Sequence, residues 1–210
     1  MRQILLLLLM AKLAFSGISI SGGPIYFVSH SENNEPTLMA DPYKYGWSGS
    51  FEYRHRLDHQ KMLQLVLGFT EVSSTHEYLA YDADGNSLNF VKAGSFRERS
   101  FPLILRYFTS ARGLTGYGIG PLLSVTEHQF NYIPPYPYSQ FSFIETFYST
   151  GLGINALIRF ATPMGKSLFS HIDLEVQGVQ AIHFQNAGQD MSNYTHNTFQ
   201  IKLSLGLGNR

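Results

Sequence analysis

Apolar and polar residues alternate one by one over long stretches of this chain. The pattern is clearest near the end. There Phe199, Ile201, Leu203, Leu205 and Leu207 alternate with Thr198, Gln200, Lys202, Ser204 and Gly206. Successive side chains of a β-strand point to opposite sides, so this segment has one wholly apolar face and one polar or small face. Six upstream segments repeat the pattern. Tyr45, Trp47, Phe51, Tyr53 and Leu57 oppose Ser48, Ser50, Glu52, Arg54 and Arg56. Leu63, Leu65, Leu67 and Phe69 oppose Gln64, Gly68 and Thr70, and Phe101, Leu103, Leu105 and Tyr107 oppose Arg106. Tyr117, Ile119, Leu123 and Val125 oppose Gly118, Gly120, Ser124 and His128. Over 141–161 and 167–184, runs such as Leu152, Ile154, Ile158 and Leu168, Ile172, Leu174 oppose Glu145, Arg159 and Asp173, Glu175.

The links between segments alternate in length. Short ones lie near 58–60, 110–115 and 162–166, the last with Pro163 and Gly165, which suit tight turns. Long ones lie near 73–95, 129–140 and 185–196. Short turns on one side and long loops on the other are the habit of outer-membrane barrels. The segment at Tyr45 precedes a short turn and so runs inward, which requires an earlier outward strand. Ile25–His30, started by Pro24, is the candidate, and it completes an eight-stranded antiparallel up-and-down barrel.

Alternation alone does not say which face is inside; composition does. Charged residues are only 14% of the chain, with sixteen Phe, thirteen Tyr and nineteen Gly. That is well below the roughly 25% charge of an average soluble domain, so the apolar face is expected to meet lipid and the polar face the lumen. A soluble lipocalin-like barrel holding a small ligand would have the inverse arrangement. Acids and bases on the polar face are nearly matched: Glu52, Arg54, Arg56, Arg106, Glu145, Arg159, Asp173, Glu175 and Lys202. In a narrow barrel they are expected to pair and leave no wide pore. Tyr43, Tyr45, Trp47, Tyr132, Tyr136 and Tyr138 near segment ends fit an aromatic girdle.

The first residues read as a secretory signal. Arg2 precedes the apolar run Ile4–Met10, and the small residues Ser16, Gly17, Ser19 and Ser21 follow. The expected organisation is a signal peptide over 1–21, cleaved about 16–21, and a barrel domain over 22–210. Net charge is zero and cysteine is absent, which leaves no basic excess for nucleic acid and no thiol for disulfides or metals. No cofactor is expected. The expected surroundings are outer-membrane lipid and lipopolysaccharide.

Two resemblances follow from particular residues. The stretch Ser100-Phe101-Pro102-Leu103-Ile104-Leu105-Arg106-Tyr107-Phe108, with Gly116-Tyr117-Gly118-Ile119-Gly120-Pro121 after it, resembles the small outer-membrane β-barrel family of Bacteroidetes. It implies the fold and the location, and no activity. Ala181-Ile182-His183-Phe184-Gln185-Asn186-Ala187-Gly188, with Ser192-Asn193 beyond, is similar to the end of the lipid A 3-O-deacylase barrels. That resemblance implies a base at His183 and an oxyanion donor at Asn186. The family's nucleophilic serine is replaced by Gln185 and its acid by Asn197. Ser192 and Thr195 are the nearby hydroxyls. Unbroken alternation from Leu168 points His183 into the lumen, whereas a bulge near Gly178 would turn it toward lipid.

Other patterns have plainer readings. Asp82-Ala83-Asp84-Gly85-Asn86 lacks the glutamate of a calcium loop, since position 93 is Ala93, and Asp84-Gly85 suits a hairpin turn. His30, His76, His128, His183 and His196 gather near the external ends without metal-ligand spacing, so no metal is expected. Glycines at 118–120, 151–153 and 206–208 lie in strands, where they permit close packing. The end, Gly208-Asn209-Arg210, lacks the terminal aromatic residue common in outer-membrane chains. The first functional expectation is a non-enzymatic barrel whose external loops bind a partner or stabilise the envelope. A lipid A esterase and a soluble ligand carrier are the alternatives.

Overall fold

The computed structural model describes residues 17–31, 43–78, 91–110, 115–132, 143–161, 170–186, 189–190 and 196–208. The strands are β1 (Ile18–Ser31), β2 (Tyr43–Arg56), β3 (Lys61–Tyr78), β4 (Val91–Ser110) and β5 (Thr115–Tyr132). They continue as β6 (Phe143–Ala161), β7 (His171–Asn186), the two-residue β8 (Gln189–Asp190) and β9 (His196–Gly208). All pairings are antiparallel and nearly all join chain neighbours. β9 lies between β7 and β1, so eight strands close into a ring and β8 merely folds back on the tip of β7.

The alternation predicted from sequence is realised face by face. Ile154, Leu65, Leu103 and Leu203 are exposed on the outer wall, while Glu52, Gln64, Arg106, Asn155, Asp173 and Gln177 are buried within. A soluble carrier would have these sets exchanged. Aromatic rings mark both ends of the outer apolar band. Tyr45, Trp47 and Tyr148 lie toward the external ends, and Tyr53, Tyr107 and Tyr117 toward the short turns. Trp47, Phe69 and Phe101 stack in succession with centroids 5.0 and 5.3 Å apart. Side chains of Tyr43 and Tyr132, and all of Tyr136 and Tyr138, lie outside what is described.

Local sequence explains the irregularities. Proline has no N–H to donate, and each of Pro24, Pro102 and Pro121 coincides with a gap in one flanking ladder. Gly118 faces the lumen, where a Cβ would stand 2.4 Å from Arg106 Cδ; only glycine leaves space for that guanidinium stem. Gly206 does the same for the ring of His171, 1.9 Å from where its Cβ would be. The β2–β3 turn is held by Asp58, whose carboxylate accepts from the backbone N–H groups of Gln60 at 2.7 Å and Lys61 at 2.8 Å. Those donors, Gln60 first, hold its carboxyl below the usual aspartate range.

Three expectations change. The first strand begins at Ile18, not Ile25, so the cleavage window 16–21 overlaps β1. Much of the long link at 73–95 is strand, with Glu77 opposite Lys92 and Tyr78 opposite Val91. This extends β3 and β4 toward the expected hairpin, although its Asp84-Gly85 turn and the 82–86 acidic run lie outside the described residues. β7 begins at His171, and Leu168 is likewise outside. The signal segment up to residue 16 and the terminal Asn209-Arg210 are also not described.

Candidate functional site

A connected polar network crosses the lumen. Arg159 is forked between two carboxylates. Its Nε and Nη2 donate to Asp173 at 2.8 and 2.7 Å, and its Nη1 and Nη2 to Glu52 at 3.0 and 2.8 Å. Arg54 also pairs with Glu52 and donates to Ser19 Oγ at 3.0 Å. Higher in the barrel, Arg106 donates to Asn155 Oδ1 at 2.9 and 2.6 Å and to Glu175 at 2.7 Å. Lys202 joins Glu175 at 3.3 Å and Gln177 at 2.9 Å, and Gln177 donates to Gln200 at 2.7 Å. The planar guanidinium suits such paired carboxylates because its donors match their geometry two at a time. A void of about 10 Å³ remains between Ser21, Val66, Pro102 and Lys202, space for roughly one water. Arg56, counted with the lumen set from sequence, instead lies exposed at the short-turn end, donating to the Asp58 carbonyl. The side chain of Glu145 is not described.

The segment singled out in β7 has an unexpected facing. From His171 to Ala181 the alternation is regular, and Ala181 faces the lumen opposite Gly151. The next pair is Thr150 with His183, so Ile182 is an extra residue in β7. Beyond this bulge His183 and Gln185 sit opposite Thr150 and Tyr148, on the outer wall. The unbroken alternation that would send His183 inward is therefore corrected. The bulge that turns it lies at Ile182, four residues beyond Gly178, and Val179 and Ala181 keep their regular faces. Gln185 Nε2 donates to His183 Nε2 at 2.9 Å. Asn186 pairs along the backbone with Phe147 and Gln189, and Asn197 with Gln180 and His30. Ser192 and Thr195 lie outside the described residues.

The structure also assembles a cluster that the sequence did not single out. Glu98 on β4, His128 on β5 and Ser149 on β6 face the lumen near its external end. His128 Nε2 is 2.9 Å from Ser149 Oγ, and His128 Nδ1 is 3.2 Å from Glu98 Oε2. Thr126, the direct partner of Ser149, hydrogen-bonds Ser100 at 3.1 Å. His128 was visible in sequence as a polar-face residue of its segment and as one of several external-end histidines. Glu98 and Ser149 had no signal of their own, because partners on three strands are aligned by register alone.

No protein-family model and no curated protein matches the chain in sequence. Among solved structures, the Neisserial surface protein A (NspA) superposes with a TM-score of 0.55 at 11% identity, covering 92% of this chain and 97% of that one. The fold is that of an outer-membrane β-barrel. Ail, the attachment invasion locus protein of Yersinia pestis, aligns with a TM-score of 0.46 at 10% identity, covering 91% and 99%.

Proposed function

We propose that this chain is exported to the bacterial outer membrane and works there from its external end. Its external loops, set among outer-membrane lipid and lipopolysaccharide, bind a partner or stabilise the envelope. The filled lumen is the observation that carries this reading, because Arg159 on β6 reaches Glu52 on β2 and Arg106 on β4 reaches Glu175 on β7, so that the networks cross the barrel from wall to wall. No chemistry is assigned to the His183–Asn186 segment, since the position of the nucleophile carries the amide of Gln185.

Two measurements test the reading. In planar bilayers the folded protein is expected to show no single-channel conductance. Replacing residues 133–142 or 32–42 with short turns is expected to leave the heat-modifiable gel mobility intact while removing surface binding or raising sensitivity to detergents. Steady conductance by the wild type, or unchanged envelope behaviour and binding in every loop variant, would overturn it. The leader is proposed to be removed before Ile18, because Ser19 is buried in β1 and accepts from Arg54. Amino-terminal sequencing of the mature protein checks this; a start beyond Ile18 contradicts it.

A further inference from the structure

The geometry points to a serine hydrolase centre in the external mouth of the lumen, with Ser149 as nucleophile, His128 as base and Glu98 as the group that orients it. It goes beyond a binding or stabilising role and does not depend on it. The two ring nitrogens of His128 are divided as a nucleophile–base–acid relay requires. With its proton on Nδ1, whose carboxylate neighbour Glu98 Oε2 stands 3.2 Å away as an ion-pair contact not aligned as a hydrogen bond, the imidazole turns its Nε2 lone pair to Ser149. The serine hydroxyl then donates across 2.9 Å, within the range for proton transfer to a base. Such a relay is identified by geometry and roles rather than by order in the chain.

The surroundings supply the other parts. Thr126 stands directly across from Ser149 on the same face, about 5 Å away at Cβ, and its hydroxyl can donate to a developing oxyanion when Ser100 is the donor in their shared hydrogen bond. Val72, opposite Glu98, and Phe96 form an apolar wall beside the relay, the Phe96 ring 6.4 Å from that of His128. On the outer wall at this level the strands carry Glu71, Arg97, Arg99 and Glu127 beside the girdle rings Trp47 and Tyr148. The relay thus lies above the hydrocarbon band. Ser100, Pro102 and Ile104 fill the lumen below it down to Arg106. A substrate therefore has to reach Ser149 from the external side, and the burial of the relay admits only a small one.

The chemistry is hydrolysis of a short-chain carboxylic ester. Ser149 Oγ adds to the carbonyl carbon as His128 Nε2 takes its proton. The carbon–oxygen bond to the alcohol breaks, and that oxygen leaves with the proton from His128. Water, deprotonated by His128, then attacks the acyl carbon. The bond to Oγ breaks, Ser149 regains a proton, and acid and alcohol are released.

Ser149 and His128 are only 5% and 4% exposed, so the test must use the folded barrel and a small probe. The refolded full chain in detergent micelles is treated with a short-alkyl fluorophosphonate and with p-nitrophenyl acetate. Folding of each variant is checked by heat-modifiable mobility. Labelling is expected at Ser149 in the folded protein and not after heat unfolding. Ser149→Ala is expected to abolish labelling and turnover, and His128→Ala to lower both by about 10²-fold or more, the scale of a lost general base. Glu98→Gln should lower turnover and shift its pH profile, and His183→Ala should change neither. If His128→Ala fails to fold, His128→Gln serves in its place. No labelling of the folded wild type, labelling that survives Ser149→Ala, or equal labelling after unfolding would each overturn the assignment.

Discussion

Ile154→Arg is expected to destabilise the folded barrel by about 2–4 kcal/mol, the cost of a cation on the lipid face near the middle of a bilayer. Ile154 is 63% exposed and pairs with Pro121 and Gly178 on the outer wall. Leu152 and Ile158 lie on the same face of β6, inside the apolar band. On a protein surrounded by water, a substitution at so exposed a position typically changes stability by no more than about 0.5 kcal/mol. Reversible urea unfolding in phospholipid vesicles separates the two cases. A near-zero change would mean that hydrocarbon does not cover this wall. The same substitution at Tyr45, at the external edge, should cost only about 0–1 kcal/mol, because the penalty falls toward the interface.

The strand pattern was legible because alternation is a local property. Leu203 and Lys202 declare opposite faces without any knowledge of their partners. The direction of those faces came from a global quantity, the shortage of charge, since a barrel in water and a barrel in lipid share the same alternation. The start of β1 was hidden by its position. Ile18, Ser19, Ile20 and Ser21 alternate as a strand, but small residues after an apolar run also read as the end of a leader. The position of the bulge, Ile182 rather than Gly178, escaped for a different reason. One extra residue leaves no mark in composition, and Gly178, the natural suspect, sits in a regular ladder where a Cβ would meet nothing within 4 Å. The Glu98–His128–Ser149 cluster was invisible for a third reason. Its residues are thirty and twenty-one positions apart, and only the registers of β4, β5 and β6 align them.

Arg159→Ala is expected to be the most damaging single change in the lumen, costing about 3–5 kcal/mol, the usual consequence of removing one partner of a buried ion pair. Its guanidinium makes four hydrogen bonds, two to Glu52 and two to Asp173. Its loss leaves two carboxylates close together in a space where water scarcely penetrates. Arg159→Lys should recover only part of the loss, because an ammonium restores the charge without the planar fork. The decisive comparison is the double variant Arg159→Met with Asp173→Asn. There Glu52 keeps Arg54 as its partner, and no second carboxylate is left without a cation. If the single variant fails through stranded charge, the double variant should be more stable than Arg159→Met alone, with a coupling of about 0.5–3 kcal/mol between the sites. If it fails only because a large side chain has gone, the losses should add. Urea midpoints of wild type, Arg159→Met, Asp173→Asn and the double variant in the same vesicles decide between them. Additive losses would mean that packing, rather than ion pairing, holds the lumen shut.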